Sequence, residues 1–163
     1  YIMDILHPEF IVFLSCAAKN NLRYLLIGGY AVNYYGYNRH THDLDVWLAP
    51  TNENKLAFIQ TLLCMQYSEN EVALLYEEDF TKPFKANIGT PTADIDVLTF
   101  VHSKISFDDA EKNKVIFAIE KDVTMNIVPY DFLRDMKLFA ARNKDLLDVS
   151  ELEKLRKNKK KNK

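Results

Sequence analysis

Asp43 and Asp45 stand at alternate positions in "THDLDVWL", and Gly28 and Gly29 close the apolar run "LRYLLIGG" a short way upstream. Carboxylates two residues apart on an extended segment share a face. Left alone there they raise one another's pKa and weaken the fold. Arg39 is the one fixed cation close by in sequence, which makes a bound divalent ion the simpler partner. Mg²⁺ suits such a pair, because it takes a few carboxylate oxygens and completes its shell with water and substrate phosphate. Asp96 in "TADIDVLTF", or less favourably Asp94, supplies a third carboxylate on another strand. Glycines between a buried strand and a helix let the backbone approach a ligand, and the helix N-terminus offers N–H groups to an anion. A phosphate cradle beside a carboxylate pair points to phosphoryl or nucleotidyl transfer, where two metal ions clamp the attacking and leaving oxygens. Each signal has a plainer reading: the glycines as a tight turn, the aspartates as a solvated strand face. Both occur in order within twenty residues, with the third carboxylate following.

The elements that must position these groups follow from periodicity. Helical spacing of apolar residues runs from Asp4 to Asn20, with Pro8 acceptable only near the start. "LRYLLIGG" predicts a strand buried on both faces, and "YAVNYYGY" a short helix stopped near Gly36. "THDLDVWL" predicts a strand with Leu44, Val46 and Leu48 on one face and Thr41, Asp43 and Asp45 on the other. "TNENKLAFIQTLLCM" reads as a capped crossover helix. Residues 67 to 90 are ambiguous between helix and strand. "TADIDVLTF", "KVIFAI" and "VTMNIV" read as strands, and "FDDA" as a helix start. Two helices close the chain, the first opening at Pro129. The expectation is an α+β (or α/β) domain with a mixed sheet flanked by helices. One domain spans residues 1–157, and residues 158–163 form a basic, disordered tail.

With 163 residues and a formal net charge of −2, the composition is that of an ordinary globular domain with no general pull toward nucleic acid or membrane. Cys16 and Cys64 each sit in an apolar helical stretch, which suggests buried free thiols and a reducing, cytoplasmic setting, bacterial or other. No stretch approaches a membrane span, and no secretory leader is expected. The chain opens at Tyr1 rather than Met, so a few preceding residues are expected.

The stretches "RYLLIGGYAVNYYGYNRHTHDLDVWL", "DIDVLTFVHSKISFDDA" and "VPYDFLRDMKLFAARNKDLLDVSEL" together resemble the nucleotidyltransferase superfamily with the DNA polymerase β-like catalytic fold. The nearer likeness is to small bacterial minimal nucleotidyltransferases related to the toxin component of abortive-infection systems. The resemblance implies that Gly28 and Gly29 contact a nucleotide triphosphate, that Asp43 and Asp45 hold the metal ions, and that Asp96 is a third ligand or the base toward an acceptor hydroxyl. Arg39 and Thr41 match the family's lead-in to the paired aspartates, with Arg39 neutralising the carboxylates or shaping the turn. Lys137 matches a lysine on the penultimate helix, as a triphosphate contact or a plain surface lysine. Asp94 departs from the family, where a basic residue is common. Arg142, Lys144, Asp145 and Asp148 match its closing helix, where ion pairing and capping explain them as well as substrate does. His40 and His42 invite a zinc reading, but strand alternation turns His42 away from the aspartates, which favours structural roles. Trp47 reads as packing rather than as a base-stacking group.

The function expected is transfer of a nucleoside monophosphate from an NTP, ATP foremost, to a hydroxyl, with pyrophosphate released. The acceptor is open: a small molecule, a protein side chain or an RNA end. A second subunit or a partner protein is expected to complete its pocket. A catalytically inactive binding protein of the same fold, or one half of a toxin–antitoxin pair, is the alternative. RNA binding through the basic tail rests on composition alone.

Overall fold

The computed structural model describes residues 6–161. In chain order its elements are α1 (Pro8–Lys19), β1 (Tyr24–Leu26), α2 (Gly28–Tyr34), β2 (Leu44–Leu48), α3 (Asn52–Cys64) and α4 (Glu69–Val72), the last followed by a 3₁₀ segment (Ala73–Glu77). Then come β3 (Lys85–Asn87), β4 (Ile95–Leu98), α5 (Phe107–Lys112), β5 (Val115–Glu120), β6 (Val123–Ile127), α6 (Tyr130–Ala140) and α7 (Asn143–Lys161). The six described strands form one sheet in the order β3-β4-β2-β1-β6-β5. Pairings β2–β4 and β1–β6 are parallel, and the others are antiparallel. The chain is therefore an α+β protein with a mixed sheet, as its periodicity predicts.

Local chemistry sets most boundaries. Pro8 takes the first position of α1, where no N–H is needed, and His7 Nδ1 accepts from the Glu9 N–H at 3.2 Å as the cap. Asp4 and Ile5 of the expected helix lie outside the described residues. Thr51 and Ser106 cap α3 and α5, each hydroxyl accepting a backbone N–H. Ser68 and Glu71 form a reciprocal capping box on α4, which decides one end of the ambiguous region as helix; "KAN" at its other end is the edge strand β3.

On β2 and β4 alternation sorts the side chains cleanly. Leu44, Val46, Leu48, Ile95 and Val97 are fully buried in the core, while Asp45, Trp47, Asp96 and Leu98 take the other face. Trp47 is buried, donates Nε1–H to the Thr99 carbonyl at 3.3 Å and meets Phe107 edge-on, so it is packing. Leu133, Met136 and Lys137 of α6 stand across a cavity from Asp45 and Leu98, which puts α6 over this face.

Two expectations need correction. Cys16 and Cys64 are not free thiols but a disulfide between α1 and α3, closing a separation of 48 residues. Both do lie in helices, Cys16 in α1 and Cys64 in α3, as the apolar spacing predicts. What the periodicity could not show is that α1 and α3 pack on each other with these two positions in contact. The pairing removes the ground for expecting a reducing compartment. Second, of the tail expected over residues 158–163, residues 158–161 continue α7 as helix to Lys161, and residues 162 and 163 lie outside the described residues. No Gly or Pro interrupts it, and Lys159, Lys160 and Lys161 lie in the last turn, where cations oppose the helix dipole favourably. No described helix is long and apolar enough to cross a membrane.

Candidate active site

The site begins where β1 ends. The Ile27 N–H donates to the Asp45 carbonyl at 3.1 Å, holding the start of α2 against β2. Gly28 adopts a left-handed φ of +66°, and a Cβ there would collide with the Asp45 carboxylate. A Cβ on Gly29 would collide with the Thr41 side chain. The glycine pair therefore does more than open a helix: it lets Asp45 and Thr41 lie directly on the backbone at the N-terminus of α2. Thr41 Oγ1 also donates to the Asp43 carbonyl at 3.4 Å.

Parallel pairing of β2 and β4 sets Asp45 directly beside Asp96, and equal register places both side chains on one face. Asp43 precedes β2 by one residue. The strand expected from Thr41 thus starts only at Leu44, and alternation does not govern residues 40–43. His40 and His42 lie in this irregular segment, exposed, their rings edge-to-face with centroids 4.2 Å apart. Asn87 of β3, opposite Asp96 in the antiparallel pair, donates Nδ2–H to Asp96 Oδ1 at 3.1 Å and to Asp94 Oδ1 at 3.2 Å. It ties the acidic departure at Asp94 to the third carboxylate. Sequence reading missed Asn87 because "KPFKANIG" is too short to show a period, although its place among alternating residues of an edge strand was the available signal.

The electrostatics of the cluster are uncompensated. Burial, then the charges of Asp96 and Asp43, push the Asp45 carboxyl up to about 6; the Gly29 N–H and Lys137 pull the other way and do not offset them. No three His, Cys, Asp or Glu side chains among the described residues enclose an ion by themselves. Mg²⁺ needs no such cage: it is held by one or two carboxylates and retains water and phosphate oxygens. Asp45, whose negative charge its neighbours Asp96 and Asp43 oppose rather than answer, lines the adjoining cavity and fits an ion that arrives with a nucleotide.

That cavity measures about 700 Å³ and runs from Gly28 and Asp45 to Phe84, Leu98 and Phe100, under Leu133, Met136 and Lys137. Lys137 is not a surface helix lysine. It is 6% exposed, with Nζ 2.7 Å from Asp148 Oδ2 and 3.3 Å from Asp145 Oδ1. Nor does Arg39 neutralise the aspartate pair. Its Nε lies 3.1 Å from Asp148 Oδ1, off hydrogen-bonding alignment, and its backbone N–H donates to Asn33 Oδ1 at 3.0 Å, so it shapes the turn and pairs with α7. Arg142 donates Nε–H to Asp145 Oδ2 at 2.6 Å. Burial alone would raise the Asp145 carboxyl, but the Arg142 hydrogen bond and the charges of Lys137 and Arg142 outweigh it and hold it below its ordinary value. Asp145 and Asp148, both 1% exposed, are thus the hub that fixes Arg39, Lys137 and Arg142 around the cavity, as the ion-pairing reading of this motif predicts. Lys144 is exposed and outside the hub.

No protein-family model matches this chain, and no curated protein matches it.

Proposed function

We propose that the protein is a Mg²⁺-dependent nucleotidyltransferase that moves a nucleoside monophosphate from an NTP to a hydroxyl. The observation that carries this reading is the placement of Asp45 beside Asp96 on parallel strands, against the glycine-started α2 and facing a nucleotide-sized cavity. The motif resemblance to nucleotidyltransferases rests on these same residues and suggests the same chemistry.

On this reading Asp43, Asp45 and Asp96 would supply carboxylate oxygens to Mg²⁺, with water and phosphate completing its shell, and the ion would neutralise phosphate oxygens and polarise the α-phosphorus. The start of α2 at Gly28 and Gly29, with the nearby Lys137, receives the triphosphate. The acceptor oxygen bonds to the α-phosphorus, the bond from the α-phosphorus to the bridging oxygen breaks, and pyrophosphate leaves with that electron pair. The hydroxyl proton passes to Asp96 or through it to water. Asn87 orients Asp96 for that role.

Titration with each NTP, with and without Mg²⁺, tests the reading. Metal-dependent binding that is lost in Asp45→Asn supports it. Nucleotide binding that ignores both Mg²⁺ and Asp45 would point instead to a binding protein on this fold. Incubation with ATP labelled at the α-phosphate then identifies the acceptor class by whether label moves to small solutes, protein or RNA.

A further inference from the structure

The cavity is chemically two-ended. Gly28, Asp45 and Lys137 give its lining a polar part; Phe84, Leu98 and Phe100, at and just past the C-terminal end of β4, give with Met136 an apolar one. The apolar end is held rigid from behind. Phe84 donates its backbone N–H to Thr99 Oγ1 at 2.9 Å, and its ring stacks on fully buried Phe80 with centroids 4.8 Å apart and planes 28° from parallel. Phe100, by contrast, is 48% exposed at the rim, an aromatic face with room beside it. The polar side chains at this end are Lys85 and His102, and the His102 ring stacks on Phe139. Arg142 and Asp145 also line the cavity and, like Lys137, belong to the ion-pair hub.

Given the nucleotidyltransferase reading, on which this step rests, we infer that the apolar end receives the nucleobase by stacking and burial against Phe100, Phe84 and Met136 rather than by hydrogen-bond readout of its edge. The site is therefore tolerant of base identity and favours purines over pyrimidines by ring area. Two observations assign this end to the base and not to the acceptor. It is continuous with the triphosphate end, so one nucleotide spans both. An acceptor must approach the α-phosphorus in line, opposite the leaving pyrophosphate, on the side of Asp96, and Asp96 is not part of this cavity's lining. Stacking reads any base because every base has a π-face. A pocket without a matched donor and acceptor set discriminates between similar ligands only weakly.

The test is equilibrium binding to the full chain in Mg²⁺ of ATP, GTP, CTP, UTP and inorganic tripolyphosphate. ATP and GTP are expected to agree within about threefold, to exceed the pyrimidine nucleotides, and to bind about tenfold or more tighter than tripolyphosphate. Phe100→Ala should remove about tenfold from ATP and leave tripolyphosphate unchanged, and Phe100→Trp should restore ATP binding. ATP no tighter than tripolyphosphate, or unmoved by Phe100→Ala, overturns the inference while the triphosphate reading stands. Strong selection for one base over all others also overturns it. Mg²⁺-independent or absent binding of tripolyphosphate and every NTP overturns both.

Discussion

Two groups of acidic residues, one buried and one half-buried, each send one member into the same cavity, Asp145 and Asp45, and their surroundings drive them in opposite directions. Asp145 and Asp148 are answered by Lys137, Arg39 and Arg142, and the Asp145 carboxyl falls below its ordinary value. Asp45 has Asp96 and Asp43 as neighbours and rises to about 6. The first arrangement is what a fold builds to keep two helices and a turn in register. The second works against the fold, and such strain is expected where a charge deficit is left for a ligand to fill. The contrast marks Asp45 and its neighbours, and not Asp145 and Asp148, as the place where the fold leaves negative charge unanswered.

The largest effect is expected at the hub. Lys137→Met leaves Asp145 and Asp148 buried with reduced compensation and is expected to cost about 3–5 kcal/mol in urea unfolding; a loss below about 1 kcal/mol would mean the hub is not structural. Asp45→Asn should lower the transfer rate by about 10²–10³-fold, about 3–4 kcal/mol of transition-state stabilisation, measured with labelled ATP once an acceptor is found.

The same Asp45→Asn should raise stability. A carboxyl whose folded pKa of about 6 exceeds its unfolded value costs stability as pH rises from about 4 through 6, and the cost remains in full above that. The variant is expected to gain about 1–3 kcal/mol at pH 7.5 and nothing near pH 4; a gain equal at both pH values would remove Asp45 titration as its cause. Mg²⁺ with nucleotide should stabilise the wild type and not this variant. Asp145 runs the other way: its depressed pKa adds stability above its unfolded value, lost as pH falls through the folded one. The smallest effect is expected from Arg142→Gln. Its side chain is 64% exposed, so its loss should cost about 1 kcal/mol or less and flatten the acid side of the stability profile.

Much of this was legible in the chain. "LRYLLIGG" and "TADIDVLTF" announced their strands because continuous apolar runs and strict alternation leave few other ways to bury those side chains. Asp45 and Asp96 could each be named as a candidate because alternation sets them apart from the apolar face of their strands, though alternation does not show that the two strands are neighbours. Lys137 and Arg39 could be named but not placed. A lysine on an amphipathic helix looks the same in sequence whether its ammonium meets water or two carboxylates eight and eleven residues on. Asn87 was hidden because three residues on an edge strand carry too little pattern to assign.

Local sequence pattern set most of the elements outside residues 67 to 90, the mixed character of the sheet and the acidic chemistry of its open face, since periodicity, caps and turns act over a few residues. Only the tertiary structure decided which charges meet. Register between β2 and β4 put Asp45 beside Asp96, α7 folding back on α6 and the turn at Arg39 gathered the cations onto Asp145 and Asp148, and α1 on α3 joined Cys16 to Cys64. Electrostatic and covalent pairing depend on distances in space, and a linear pattern does not carry those until the chain has folded.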